Sequence, residues 1–213
     1  RIIQFPPGYV FVNYQMIRYY HWNKISYDLR TTPNYINLVK YFLTKSVEKR
    51  MMSDRPIGCF LSGGLDSSLI CSLVNNFSQQ PVTTFSIGME NSADLLNARS
   101  VSNFLNTIHH EITFNFIDGF YIIDELIKTI ESYDVTTIRA SIPQYLLSKY
   151  ISNNTTIKVL FSGEGADEHF GGYKYLKYAP SKDDLQDEIV SLMKNVHQFD
   201  VLRTDRTTAT FGL

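Results

Sequence analysis

Cysteine is scarce: Cys59 and Cys71 are the two in 213 residues. A small secreted scaffold stapled by disulfides would carry more of them, evenly paired. Cys59 lies in an apolar run and Cys71 among Leu and Ile, so both read as buried thiols acting as small hydrophobes. Charge of one sign is lacking too. The 20 Lys and Arg nearly cancel the 21 Asp and Glu, leaving a formal net charge of -1. That excludes the broad basic field of a nucleic-acid binder and the polybasic anchor of a membrane-surface protein. Bound phosphates would have to be held by local geometry. No apolar run approaches the ~20 residues of a membrane span, and no signal peptide opens the chain. A soluble cytoplasmic protein is expected, with neither nucleic acid nor membrane as partner.

What is present is a core and a rhythm. Apolar residues make up 44% of the chain, enough to fill one full domain, or one domain with the stump of another. Residues 1–30 are rich in aromatics, hold Pro6, Pro7 and Gly8, and read as short extended pieces and turns around Phe11, Tyr14, Tyr19 and Tyr20. From residue 34 helix and strand patterns alternate. Leu38, Val39, Phe42, Leu43 and Val47 recur at helical spacing, and Arg55-Pro56 stops that helix. Buried strands are predicted at 57–61, 82–87, 109–114 and 158–161. Between and after them fall amphipathic helices through Leu69–Phe77, Leu95–Leu105, residues 117–130, 143–150 and 185–196. Pro143 suits the first turn of its helix. The alternation argues for an α/β fold: an open, mostly parallel, five-stranded sheet with helices on both faces. Ligands of such sheets bind at the carboxyl ends of the strands, where two Gly-rich loops lie.

The first loop is Ser62-Gly63-Gly64-Leu65-Asp66-Ser67-Ser68, between a buried strand and an amphipathic helix. Its glycines can take backbone conformations closed to other residues. The helix behind offers free N–H groups and its positive dipole end. Hydroxyls of Ser62, Ser67 and Ser68 add donors, and together these make a phosphate cradle. It is not a Walker loop, because no Lys follows the glycines and the spacing is wrong. A carboxylate at Asp66 would repel phosphate unless Mg²⁺ stood between them, so the loop asks for a magnesium–polyphosphate ligand. The plainer alternative is an ordinary Gly-Gly turn with Asp66 or Ser67 as a helix cap.

Ser62 to Ser68 resembles the pyrophosphate loop of the N-type ATP pyrophosphatases, which cleave ATP between the α and β phosphates and adenylate a substrate. Two further segments resemble the asparagine synthetase family within that group. One is Tyr133-Asp134-Val135-Thr136-Thr137-Ile138-Arg139-Ala140-Ser141. The other is Leu160-Phe161-Ser162-Gly163-Glu164-Gly165-Ala166-Asp167-Glu168, closing with Phe170-Gly171-Gly172-Tyr173. Phe85-Ser86-Ile87-Gly88 resembles the family's second strand, whose backbone lies against the adenine. The resemblance runs from about residue 5 to the end of the chain.

It implies an adenine nucleotide alpha-hydrolase-like fold that binds ATP and Mg²⁺. Leu61, Ser62, Gly63, Gly64, Asp66, Ser67, Ser68, Ile87, Ser162 and Gly163 would hold the nucleotide. Asp66 and Asp167 would share the metal. Glu164 would support formation and breakdown of β-aspartyl-AMP, and one role for it is to accept a proton from ammonia. Thr136, Thr137 and Arg139 would hold a dicarboxylate, since Arg forks onto carboxylates; for Arg139 a structural ion pair is the alternative. Glu168 is open between a site role and pairing with Arg or Lys. His109-His110-Glu111 has the composition of a metal cluster, but on a strand the two His point to opposite faces. His169 reads as a tolerated substitution.

The same resemblance implies an N-terminal glutaminase domain in the parent chain. Residues 1–30 resemble the tail of that domain and its linker, and 31–213 the ATP-pyrophosphatase synthetase domain. Since the chain begins with Arg1, and 207–213 reads like the middle of an element, a piece of a longer protein, incomplete at its C-terminus, is expected. Substrates would be ATP, aspartate and glutamine-derived ammonia; a homodimer is left open. Two alternatives stand beside this one: a β-lactam synthetase-like adenylating enzyme, and a truncated, non-catalytic nucleotide-binding or interaction module.

Overall fold

A computed structural model describes residues 5–20, 34–198 and 200–213. By backbone contacts the chain divides into two compact units, Arg1–Leu43 and Thr44–Leu213. The predicted pieces at residues 1–4 and 21–33, including His21 and Trp22, lie outside the described residues.

The first unit holds a β-hairpin. Strand β1 (Tyr9–Val12) pairs antiparallel with β2 (Gln15–Arg18), Val12 opposite Gln15. The two-residue turn places Asn13 at φ 50° and Tyr14 at φ 62°. Positive φ at both central positions is the turn whose twist matches paired strands. Helix α1 comprises Tyr35–Arg50.

The second unit is a parallel sheet between helices. Its elements follow in the order β3 (Ile57–Phe60), α2 (Leu65–Phe77), β4 (Thr83–Gly88), α3 (Ala93–Leu105), β5 (Ile108–Thr113), α4 (Phe116–Tyr121), α5 (Ile123–Ile130), α6 (Val135–Asn154), β6 (Val159–Phe161), α7 (Ala166–Phe170), α8 (Lys182–Asn195) and α9 (Asp200–Ala209). Spatial order is β5-β4-β3-β6, all parallel. The four strands named from sequence are all in place; among the described residues no fifth joins this sheet.

Side chains alternate across the strands, as the two-residue period requires. Cys59 and Leu61 pack with Cys71 and Val74 of α2 and Ala98 of α3 on one face. Phe60, Phe85 and Ile87 pack with Leu147 and Ile151 of α6 on the other. A third cluster joins Leu126 and Ile130 of α5 to Tyr145 of α6, with Phe211 against them. Cys59 and Cys71 are both fully buried and free, and the neighbouring Cys71 sulfur together with burial pushes the Cys59 thiol up. Cys59 is therefore not a reactive thiolate.

Three boundaries differ from expectation. Pro143 does not start a helix; it sits inside the 20-residue α6. The helix begins eight residues earlier because Asp134 caps it, accepting from the Thr137 amide at 2.8 Å and the Thr137 hydroxyl at 2.9 Å. Proline then costs one hydrogen bond, to the Arg139 carbonyl, rather than the helix. The single helix expected over 117–130 is two, divided at Ile122, the first opened by a capping box between Asn115 and Asp118. Beyond the helix foreseen at 185–196 lies a further one, α9.

Candidate functional site

The direction in which strands are added reverses at β3: β4 and β5 lie on one side of it, and β6 on the other. The crevice beyond the carboxyl ends of β3 and β6 is therefore the switch point where an open parallel sheet binds ligands. Both Gly-rich loops emerge there, and they line one cleft of about 400 Å³ with the ends of β3 and β4 and one turn of α6.

The first loop is held by its own hydroxyls. Ser62 Oγ and Ser67 Oγ are 2.9 Å apart, the Ser62 amide donates to Ser67 Oγ at 3.2 Å, and the Gly64 amide donates to Ser62 Oγ at 3.3 Å. Gly63 has φ +79°, and a Cβ on it would stand 2.4 Å from the Ala98 amide nitrogen of α3. No side chain larger than hydrogen fits. Gly64 is the N-cap of α2, and no side chain caps that helix end. This disposes of the plain turn with Asp66 or Ser67 as cap. The 13-residue helix points uncapped N–H groups at the cleft mouth, the arrangement that attracts an anion.

The second loop lies against the first. A Cβ on Gly163 would come within 2.8 Å of the Ser67 amide nitrogen and 2.9 Å of the Asp66 carbonyl carbon, so only glycine allows the two loops to touch. Gly172 turns back onto Asp167, its amide donating to the Asp167 carbonyl at 2.9 Å. Asp66, Glu164, Asp167 and Glu168 all line the cleft, with Asp94 beside them. Among the described residues, Arg203 of α9 is the one cation in that lining, and it pairs with Glu164 at 3.1 Å. Sequence alone does not single out Arg203, because an arginine in a helical segment is ordinarily a solvated charge.

The remaining predicted residues sort as follows. Leu61, Ser62, Gly64, Asp66, Ser67, Ile87, Ser162 and Gly163 line the cleft with Glu164 and Asp167. Gly63 shapes the loop from behind, and the Ser68 hydroxyl is buried. Thr136, Thr137 and Arg139 are not brought into the cleft lining. They occupy the first turns of α6, where the Thr137 hydroxyl is spent on Asp134, while Thr136 and Arg139 are exposed. Glu168 is buried and accepts from the Tyr173 hydroxyl. His169 stands exposed over the Gly165 carbonyl, 3.3 Å away.

His109 and His110 do face opposite ways. His109 touches Thr84 Oγ1 through Nδ1 at 2.9 Å and Ser86 Oγ through Nε2 at 3.1 Å. His110 meets Tyr150 at 3.1 Å and lies on the Phe85 ring. Glu111 pairs twice with Arg99, at 3.0 and 2.6 Å. Burial lowers the His109 pKa, partly opposed by Glu111 and aided by His110 and Arg99. Its role is structural.

Among the described residues no group of three or more His, Cys, Asp or Glu could hold a metal unaided. The donor set fits a different kind of site. Two carboxylates, Asp66 and Asp167, in a cleft that also offers an anion-binding helix end suit Mg²⁺, which takes one or two carboxylates and completes its shell with phosphate oxygens and water. Among the described residues no helix is long and apolar enough to cross a membrane.

The asparagine synthase family model matches residues 38–198. The chain is 48% identical over 192 residues to the glutamine-hydrolysing asparagine synthetase of Mus musculus, covering 88% of this chain and 34% of that protein. It is 40% identical over 231 aligned positions to the enzyme of the same name from Homo sapiens, covering 100% of this chain and 41% of that protein. The chain thus spans a third to two-fifths of these relatives' length. Among solved structures, the NH3-dependent NAD synthetase from Campylobacter jejuni is a looser likeness, with 20% identity and a TM-score of 0.44 over 76% of this chain and 74% of that one.

Proposed function

The chain belongs to the asparagine synthase family, and from that membership we propose that it is the ATP-using synthetase part of a glutamine-dependent asparagine synthetase. Residues 31–213 would form the synthetase domain, and residues 1–30 the tail of a glutaminase domain and its linker. ATP and aspartate would give β-aspartyl-AMP and pyrophosphate, and ammonia released from glutamine would then give asparagine and AMP. The protein would act in the cytoplasm.

The observation that carries this reading is the meeting of the two loops at Gly163 and Asp66, which gathers Asp66, Glu164 and Asp167 into one cleft. Leu61, Phe85 and Ile87 supply an apolar berth for a base at the ends of β3 and β4. Gly64 and the uncapped start of α2 would receive the β and γ phosphates. Asp66 and Asp167 would hold Mg²⁺, whose charge would offset that of a departing pyrophosphate. Glu164, paired with Arg203, would take a proton as ammonia attacks the acyl carbon. Arg203 then stabilises the carboxylate until that transfer. Thr136 and Arg139, exposed at the start of the helix that brings Gln144 and Leu147 to the cleft, are our proposed contacts for the aspartate.

The test is Asp66→Ala in the complete protein, assayed for pyrophosphate release that depends on aspartate. Loss of about 10²-fold or more is expected for a group that organises the transition-state charge. Unchanged release would refute the assignment.

A further inference from the structure

Helix α7 is a single short turn, Ala166–Phe170, and it carries Asp167 and Glu168 to the cleft. A helix this short is unstable on its own, and its N-cap, Gly165, offers no side chain to hold it. The chain returns over it instead. The Gly172 amide donates to the Asp167 carbonyl at 2.9 Å. The Asp167 carboxylate lies against Gly172, where a Cβ would stand 2.9 Å from its carboxyl carbon. The next residue, Tyr173, reaches Glu168, its hydroxyl donating to Glu168 Oε1. Glu168 is buried, and a buried carboxylate depends on such bonds.

Tyr173 is itself braced from outside the cleft. Its ring stacks on Tyr175, with centroids 6.0 Å apart and planes inclined by 19°. The Tyr175 hydroxyl donates to Glu188 Oε1 of α8 at 2.8 Å. Neither Tyr175 nor Glu188 lines the cleft. The stack thus joins α8 to the residue beside Asp167. Magnesium demands close to ideal octahedral placement of its oxygen ligands, and the groups that orient a ligand matter nearly as much as the ligand. We propose that Tyr173 is a positioning residue: through Glu168 it holds α7 in the orientation that presents Asp167 to a magnesium–polyphosphate ligand. The inference rests on the reading of Asp167 as a magnesium ligand, and adds to it the residue that aims the carboxylate.

The experiment uses the complete protein, as wild type and as Tyr173→Phe, which keeps the ring and removes the hydroxyl. Mg²⁺ is titrated at a fixed concentration of α,β-methylene-ATP, which cannot be cleaved between the α and β phosphates. The half-saturating Mg²⁺ is read from the thermal shift, without turnover. Tyr173→Phe is expected to raise it by about tenfold. A hydroxyl that only stabilised the fold would lower the ligand-free Tm and leave the half-saturating Mg²⁺ where it is in the wild type. That result overturns the inference alone. If Tyr173→Phe fails to fold, Tyr175→Phe, which frees the same stack from α8, is expected to show a smaller rise, and an unchanged value there overturns the inference. A wild type with no Mg²⁺-dependent shift overturns the magnesium–nucleotide reading, and the inference with it.

Discussion

Gly163, in the loop after β6, lies against Asp66 at the start of α2: a Cβ built on the glycine would stand 3.1 Å from the Asp66 Cβ. The two segments are almost 100 residues apart in sequence, yet the spacing between their carboxylates depends on the absence of one methyl group. Gly163→Ala should part the loops by a few tenths of an ångström or more while leaving the sheet intact. Aspartate-dependent pyrophosphate release in the complete protein should fall by about tenfold or more, since a misplacement of an ångström can cost about 10²-fold. Far-UV circular dichroism should be unchanged. Full activity would mean that the loop contact does not set the geometry.

Gly63→Ala tests the other side of the first loop. The glycine combines φ +79° with backbone atoms of Asn97 and Ala98 within 2.5 Å of where a Cβ would be. Strain of this kind costs about 1–3 kcal/mol, and the clash with backbone adds to it. A Tm lower by about 5 °C or more is expected, at roughly 2–4 °C per kcal/mol for a domain of this size. Differential scanning calorimetry would measure it; an unchanged Tm would show that α3 yields freely.

Much of this was legible beforehand because the signals were local. A strand that is apolar throughout, then Ser62-Gly63-Gly64, then a helical stripe through Leu69 and Val74, dictates a loop at a sheet edge whatever surrounds it. The opposite facing of His109 and His110 followed from the strand period alone. What escaped was non-local. Whether the Thr137 hydroxyl is open to a ligand depends on Asp134, three residues earlier, the N-cap that accepts from it. Arg203 became part of the cleft only because α9 packs along α6, which no periodicity announces. Pro143 misled because α6 has the cap and the packing to absorb one lost hydrogen bond.

Glu164 and Arg203 should behave as a coupled pair. Their side chains are 31% and 20% exposed, and their atoms 3.1 Å apart. A double-mutant cycle with Glu164→Gln and Arg203→Met, read as Tm-derived stability, should give a coupling of about 0.5–3 kcal/mol. Strict additivity would indicate that the pair contributes nothing in solution.

His109 gives a pH dependence. Its pKa in the fold lies below the ordinary value of 6.5, first because it is buried. The unfolded chain therefore binds the proton more readily, so this contribution to stability is complete above about pH 6.5 and is lost as the pH falls below it. Urea unfolding between pH 5 and pH 8 should show wild-type stability declining on the acid side more steeply than that of His109→Asn. Equal slopes would show that the imidazole titrates as freely in the fold as outside it.

The strand order has a consequence for biosynthesis. β6 is the last strand of its sheet to leave the ribosome, yet it settles beside β3, the first. A nascent chain that has reached β5 already owns three neighbouring strands and the first Gly-rich loop, but only one wall of the cleft. The complete cleft therefore arrives late, when about 50 further residues have been translated and β6 closes the opposite side.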